Sequence, residues 1–163
     1  MAVVKGELTS QDTDGWSTLM NCASSHIYLK QMNRKCESAL ENGAEPVRVL
    51  SSVLGQNYPS DELEYSWKKL MQNHPHDSIC CCSVDEVQDE MATRFNKSKQ
   101  VADYLVSEGK RYIADKINTK EYEKYKNALP FVVFNTAGRE RTSVVSVEID
   151  VTRKSGWLKK MCI

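Results

Sequence analysis

The segment VDEVQDEMATRFNKSKQVADYLVSEGKRYIADKI, residues 84–117, carries one stripe of apolar and small side chains. The stripe positions recur every three or four residues, as on one face of an α-helix. At about 1.5 Å per residue over about thirty residues, the predicted helix is roughly 50 Å long. Such a helix buries its stripe against other helices, and Gly109 is its weak point. The stripe comprises Val84, Val87, Met91, Phe95, Ser98, Ala102, Leu105, Ile113 and Ile117.

Three earlier segments are predicted to be the helical partners of this stripe. Trp16–Asn42 contains no Pro or Gly and has an apolar period near 3.6 residues, so it predicts a helix that ends at Gly43. Residues 45–55 predict a short second helix, and residues 60–74 predict a third. The second helix has one apolar face, formed by Val49, Leu50, Val53 and Leu54. The predicted fold class is mainly α, a three- to four-helix antiparallel bundle.

The pattern changes in the carboxyl-terminal part of the chain. Residues 131–134 and 144–151 are rich in β-branched or aromatic side chains, with a glycine-containing turn between them. They predict a short β-hairpin that follows the bundle. Because two strands alone are marginal in water, the hairpin is predicted to begin an incomplete β domain.

The charge balance and the apolar runs exclude some function classes. Lys+Arg and Asp+Glu number 22 each, so no net field attracts nucleic acid or an anionic membrane, and neither is predicted as a partner. No apolar run approaches the roughly 20 residues that span a bilayer, and MAVVKGEL does not have the order of a secretion signal. A soluble, cytoplasmic chain with thiols in place of disulfides is expected.

The segment NHPHDSICCCSVDE, residues 73–86, is the candidate site. It holds two of the three histidines and three of the six cysteines. Pro75 takes the backbone out of the preceding helix, so His76 and Asp77 are predicted to stand on a loop. Ser83 and Glu86 have the spacing of a capping box, which would fix the start of the next helix and hold this loop.

The residue types alone leave several interpretations of this segment open. A hydrogen-bonded loop histidine is the default for His76, because H-x-H is a weak motif and catalytic zinc usually takes three protein ligands. A neutral imidazole can nevertheless bind zinc beside a carboxylate. A self-contained metal site of His74, His76 and Cys80–Cys82 is a third possibility. A Cys-His nucleophile ranks last, since no orienting third group is visible.

The segment WKKLMQNHPHDSICCCSVDEV, residues 67–87, resembles a stretch of the family 38 glycoside hydrolases, the zinc-dependent α-mannosidases. In that family a tryptophan-bearing helix runs into N-x-x-H-D and then a small-residue turn. Other landmarks of the family lie in the same order along nearly the whole chain. They are KGEL at 5–8, SSHIYLKQMN at 24–33, AEP at 44–46 and PFVVFNTAGRERTSVV at 130–145.

The resemblance implies a role for each site residue. It implies that His76 is the last zinc ligand and that Asp77 contacts the mannose hydroxyls. It also implies retaining hydrolysis of α-mannosidic bonds through a glycosyl-enzyme intermediate, with zinc holding O2 and O3 of the sugar. In the family, the nucleophile, the acid/base and the other zinc ligands lie on an amino-terminal domain. No catalytic residue is therefore predicted in this chain, and its zinc site is predicted to be incomplete.

The same resemblance implies a domain division and a function. Residues 1–15 end the catalytic domain, residues 16–118 form the helical middle domain, and residues 119–163 form a linker and the first strands of a β-sandwich. The chain is predicted to be a fragment of an α-mannosidase that is inactive alone. Its implied partners are a mannose-containing oligosaccharide or glycoside and the missing catalytic and β domains. The alternative is a non-catalytic helical interaction or assembly module.

Two residues depart from the pattern of the family. His26 stands where an arginine usually follows the paired serines, which removes a permanently charged planar donor. Cys81 stands where the turn after HDSIC usually has glycine. If the backbone has a positive φ there, Cys81 is expected to be strained.

Overall fold

The computed structural model describes residues 25–122, 124–125 and 130–147. Helices α1 (Ile27–Ala39), α2 (Glu45–Val53) and α3 (Ser60–Met71) all pack against α5 (Asp85–Ala114). The predicted mainly α, bundle-like fold is therefore confirmed, while the predicted helical residues before 25 lie outside the described range. The helical elements are α1 (Ile27–Ala39), a π-helical segment (Leu40–Ala44), α2 (Glu45–Val53), α3 (Ser60–Met71), α4 (His76–Ile79), α5 (Asp85–Ala114) and a 3-10 turn (Lys120–Tyr122).

Helix α5 is the central element that residues 84–117 predict. Its stripe is buried over the middle of the helix, but Val84 precedes the helix and is 64% exposed. Ile117 follows the helix and is 43% exposed. Small residues let α3 approach α5 closely. The buried Ser66 hydroxyl donates to the Ser98 carbonyl oxygen at 2.9 Å. The hydrophobic core includes Leu29, Cys36, Leu40, Leu63, Leu70, Met91, Phe95, Ala102 and Leu105.

The predicted helix end at Gly43 is wrong, because the chain stays helical from Ile27 to Val53. The π-helical segment continues the helix through the glycine with a wider turn. Gly43 instead lets the π-helical segment lie close to α5, since a Cβ atom at position 43 would lie 3.0 Å from Cγ2 of Val106. Pro46 has no N–H to donate back to the Asn42 carbonyl. The Thr136 hydroxyl donates to that carbonyl oxygen at 2.7 Å, so the carboxyl-terminal segment contacts the junction.

The apolar face predicted on α2 points outward. Val49, Leu50, Val53 and Leu54 are 48%, 49%, 79% and 45% exposed. The side chains that α2 buries are Val47, Arg48 and Ser51. The buried guanidinium of Arg48 donates to Oε1 of Gln56 at 2.7 Å and to the carbonyl oxygen of Asn57 at 2.9 Å. A surface helix with its apolar side exposed is unusual for an isolated domain.

Gly109 permits the close crossing of α2 over α5. A Cβ atom at this position would lie 2.6 Å from Cγ1 of Val47 and 3.2 Å from Cδ of Arg48. Any side chain would therefore push the two helices apart. Gly109 weakens α5 because glycine has a low helix propensity, but it also lets α2 pack against α5.

The predicted β-hairpin is not seen, because residues 130–147 contain no strand. The rest of its second strand, residues 148–151, lies outside the described range. Residues 130–147 bury few of their apolar side chains. The Val144 side chain, for example, is 93% exposed. A strand pair that has no sheet or helix to pack on is marginal in water. Among the helices of the described residues, none combines the length and the apolar character that crossing a membrane requires.

Candidate active-site loop

The connection between α3 and α5 carries the predicted site residues. Helix α3 ends at Met71, and Pro75 is extended, with φ −49° and ψ 139°. His76 and Asp77 do not stand on an irregular loop as predicted, because they form the first turn of the short helix α4. The amide of Cys80 donates to the His76 carbonyl oxygen at 2.9 Å. The backbone beneath the two site residues is therefore hydrogen-bonded.

His76 and Asp77 lie side by side at the surface. Nε2 of His76 is 3.2 Å from Oδ1 of Asp77, and the two side chains are 71% and 72% exposed. A carboxylate beside an imidazole orients the ring and favours one tautomer. Within the described residues, no group of three or more His, Cys, Asp or Glu side chains could hold a metal ion. The pair presents an imidazole nitrogen and a carboxylate oxygen at the surface.

The predicted capping box of Ser83 and Glu86 does not form. Helix α5 begins at Asp85 with Val84 as its N-cap residue, and no side chain caps it. A capping box needs Ser at the N-cap position itself, so this shift of one residue removes both reciprocal hydrogen bonds. The Ser83 hydroxyl is buried without a hydrogen-bond partner among the described residues. Gln88 contacts the turn instead and donates from Nε2 to the Ser83 carbonyl oxygen at 2.9 Å.

Cys81 has the left-handed backbone expected for a glycine position, with φ 61°. A residue with a Cβ atom pays about 1–2 kcal/mol for this conformation. The Cys81 side chain is buried, and Nζ of Lys30 on α1 donates to its Sγ at 3.0 Å. The strain that the sequence predicts at this position is confirmed.

Glycine at position 81 is expected to give a more stable protein than alanine. Both replacements remove the same thiol and the same contact with Lys30, so their difference reports the backbone conformation. We expect Cys81→Gly to have a free energy of unfolding about 1 kcal/mol higher than Cys81→Ala, measured by urea denaturation. At Cys82, which is not among the positive-φ residues, alanine should be the more stable of the two. The same order at both positions would contradict the argument.

His26, the second departure from the family pattern, also has a left-handed backbone, with φ 44°. It occupies the N-cap position of α1 but makes no side-chain capping hydrogen bond. Its Nδ1 lies 2.9 Å from Oγ of Ser25, and its ring meets the Tyr28 ring edge-on with centroids 5.9 Å apart. The contacts of the His26 side chain are therefore with its sequence neighbours Ser25 and Tyr28 at the start of α1.

The sequence did not predict the polar contacts around the loop. The fully buried Asn73 donates from Nδ2 to the Met91 carbonyl oxygen at 3.0 Å, which joins the end of α3 to α5. Nε2 of His74 lies 2.8 Å from Oδ1 of Asn33 on α1. Nothing in a periodicity pattern indicates these pairings, because each joins residues distant in sequence.

Family membership follows from the comparison with known proteins. Residues 17–113 match the alpha mannosidase middle domain family. Because this match covers more than half of the chain, the chain belongs to that family and thereby to the family 38 glycoside hydrolases. The part of the family that this chain matches is its middle domain.

The individual relatives are larger enzymes. The curated protein "Putative mannosylglycerate hydrolase" of Halalkalibacterium halodurans is 47% identical over 142 residues, which are 87% of this chain and 15% of that protein. An alpha-mannosidase from Enterococcus faecalis V583 is 51% identical, with a TM-score of 0.63 over 71% of this chain and 13% of its own. A second Enterococcus faecalis structure, a protein of glycosyl hydrolase family 38, is 46% identical with a TM-score of 0.60; it covers 63% of this chain and 12% of its own. The chain thus spans less than a sixth of each relative.

Proposed function

We propose that this chain is part of a retaining α-mannosidase, supplies one zinc ligand and one substrate contact, and has no hydrolytic activity alone. The exposed His76–Asp77 pair on α4, within a middle domain of this family, carries the proposal. The names of the relatives, an alpha-mannosidase and a mannosylglycerate hydrolase, support a mannose-containing glycoside as substrate.

His76 would hold the zinc ion and Asp77 would accept hydrogen bonds from sugar hydroxyls. The donor set fits this division, because an exposed imidazole suits zinc and an exposed carboxylate is a strong acceptor for hydroxyl groups. Zinc, when bound, supplies a positive charge that polarises substrate oxygens. The 3.2 Å contact between the two side chains orients the imidazole toward a fixed direction.

The inactivity of the isolated chain follows from the chemistry of retaining hydrolysis. That reaction uses two carboxyl groups about 5–5.5 Å apart, one as nucleophile and one as acid/base. The resemblance places the nucleophile and the acid/base on the amino-terminal domain of the family, so this proposal assigns neither role to a residue of this chain. In this proposal residues 1–15 end the catalytic domain, 16–118 form the middle domain, and 119–163 lead into a β-sandwich.

The proposal is tested by measuring hydrolysis of an aryl α-mannoside with two proteins. The purified 163-residue chain should show no zinc-dependent hydrolysis above the buffer rate. A chimera, in which residues 25–122 replace the matching segment of the Enterococcus faecalis alpha-mannosidase, should be active. Hydrolysis by the chain alone that disappears in His76→Ala would overturn the predicted inactivity, and a folded but inactive chimera would argue against a shared role of the segment.

A second candidate function is a non-catalytic assembly module that pairs with a separately encoded catalytic portion. The observation that favours it is the exposed apolar face of α2, formed by Val49, Leu50, Val53 and Leu54. Such a face in a stable protein marks a contact with another protein surface. Under this function, Leu50→Glu combined with Val53→Glu should abolish pairing with the catalytic portion, measured by analytical ultracentrifugation. Pairing that survives these charges, or a chain that never pairs, would rule it out.

A further inference from the structure

Helix α1 contacts the site-bearing connection at both ends. Before the site pair, Nε2 of His74 lies 2.8 Å from Oδ1 of Asn33. After it, Nζ of Lys30 donates to Sγ of Cys81 at 3.0 Å. Lys30 and Asn33 are three residues apart and therefore share one face of α1. His76 and Asp77 lie between these two attachment points.

The first attachment has a defined hydrogen-bond direction. Nδ2 of Asn33 donates to Oε1 of Glu37 at 2.9 Å. A carboxylate only accepts hydrogen bonds, so the amide nitrogen of Asn33 faces Glu37 and its oxygen faces His74. Nε2 of His74 must then be the donor. The Glu37 side chain is itself held by Arg34, with Nη1 3.2 Å from Oε2.

The second attachment fixes the strained turn. Nζ of Lys30 donates to the Ser25 carbonyl oxygen at 2.6 Å as well as to Cys81. The ammonium group is therefore held between the start of α1 and the end of the site connection. Cys81 is the residue with the left-handed backbone, so this contact falls where the chain reverses after α4.

We propose that Asn33 and Lys30 are positioning residues for His76 and Asp77. This inference rests on the proposed function, because it assigns a purpose to the orientation of those two side chains. Neither Asn33 nor Lys30 touches the reacting atoms in this assignment. They attach the residues on both sides of α4 to α1, so that the exposed imidazole and carboxylate keep one direction toward zinc and sugar. Helix α4 itself contacts α5, and Ile79 packs against the core, so the two hydrogen bonds to α1 add to that packing.

The test is hydrogen–deuterium exchange of the full 163-residue chain. The amides of Ile79, Cys80 and Cys81 report on α4, because all three donate hydrogen bonds within the connection. We expect Asn33→Leu and Lys30→Met each to accelerate their exchange about 5-fold, the effect of losing one hydrogen bond. Core amides such as that of Phe95 should exchange at the unchanged rate. Gln31→Leu, on the exposed side of α1, is the matched control and should change neither group.

Rescue by a conservative variant separates positioning from general destabilisation. Asn33→Asp keeps an acceptor for His74, so its α4 amides should exchange more slowly than those of Asn33→Leu, although the new carboxylate places a like charge beside Glu37. Equal exchange of α4 in Asn33→Leu, Lys30→Met and Gln31→Leu would overturn the inference. A uniform acceleration that includes the Phe95 amide, without rescue by Asn33→Asp, would also overturn it.

The chimera distinguishes failure of this inference from failure of the proposed function. If His76→Ala abolishes aryl α-mannoside hydrolysis but Asn33→Leu leaves kcat and KM unchanged, the function stands and the positioning role fails. If Asn33→Leu loosens α4 but His76→Ala leaves activity intact, α4 is held as inferred and the proposed function fails. When both hold, Asn33→Leu should lower kcat/KM about 5-fold and Asn33→Asp should restore most of it.

Discussion

Replacing Asn73 by aspartate is expected to lower the free energy of unfolding by about 3–5 kcal/mol at pH 7. Asn73 is fully buried, and its Nδ2 donates to the Met91 carbonyl oxygen at 3.0 Å. Its Oδ1 is buried without a hydrogen-bond partner among the described residues, so none of these residues would donate a hydrogen bond to a carboxylate oxygen at that position. The substitution removes the donor, places an acceptor against a carbonyl oxygen and buries a charge. Urea denaturation at pH 7 measures the loss.

The free energy of unfolding of the Asn73→Asp variant is expected to decrease as the pH rises. Burial raises the pKa of the introduced carboxyl group above its value in the unfolded chain. The folded variant then binds its proton more tightly, so its stability is highest below the unfolded pKa near about 4 and falls as the pH rises through the raised pKa. Its deficit relative to the wild type should therefore shrink between pH 7 and pH 4.

Two further substitutions control for this prediction. Asn96→Asp makes the same chemical change at an exposed position of α5 and should cost less than about 0.5 kcal/mol. Asn73→Leu loses the hydrogen bond but buries no charge, so its cost should be smaller than that of Asn73→Asp. Equal stability of Asn73→Asp and Asn96→Asp would show that the end of α3 is not buried against α5 as described.

The second large effect is expected for His76→Ala in the chimera. Loss of a zinc ligand should lower kcat/KM for an aryl α-mannoside on the order of 10³-fold, because a bound metal ion contributes several kcal/mol to stabilising the transition state. The zinc content, measured by elemental analysis of the purified chimera, should fall in parallel. In the isolated 163-residue chain the His76 side chain is 71% exposed, so its removal there should leave the thermal unfolding temperature nearly unchanged.

The neighbouring carboxylate should behave differently from the histidine. Asp77→Asn should raise KM or lower kcat for the mannoside and should lower the zinc content less than His76→Ala does, since Asp77 is assigned to the sugar and only orients the imidazole. Asp89→Asn, at an exposed position of α5, is the matched control and should alter neither quantity. A His76→Ala chimera that keeps both its zinc and its activity would refute the assignment of His76.

The stripe on α5 could be predicted from the sequence because a long helix repeats its pattern many times. Met91, Phe95 and Ala102 are fully buried as that pattern requires. The orientation of α2 could not be predicted in the same way. A residue advances an α-helix by about 100°, and a π-helical turn takes in an extra residue, so the π-helical segment Leu40–Ala44 changes the phase of everything after it. The period of α2 shows which side chains share a face, but the close packing of Val47 on Gly109 of α5 decides which face is buried.

The candidate site was only partly predictable for a related reason. His76 and Asp77 are adjacent in the sequence, so their contact needed no knowledge of the fold. The contacts of His74 with Asn33 and of Lys30 with Cys81 join residues 41 and 51 positions apart, and only the packing of α1 creates them. The capping box at Ser83 was lost because Val84 takes the N-cap position, a choice between adjacent residues that a local motif does not decide.

The left-handed conformation of Cys81 has a consequence at the level of the genetic code. Codons for cysteine and glycine differ in one base, so the residue that relieves the backbone is a single nucleotide change away. That change also deletes the thiol that Lys30 contacts, which exchanges backbone relief for a lost attachment of α4 to α1. A single base change at codon 81 therefore exchanges a strained turn that contacts Lys30 for an unstrained turn without that contact.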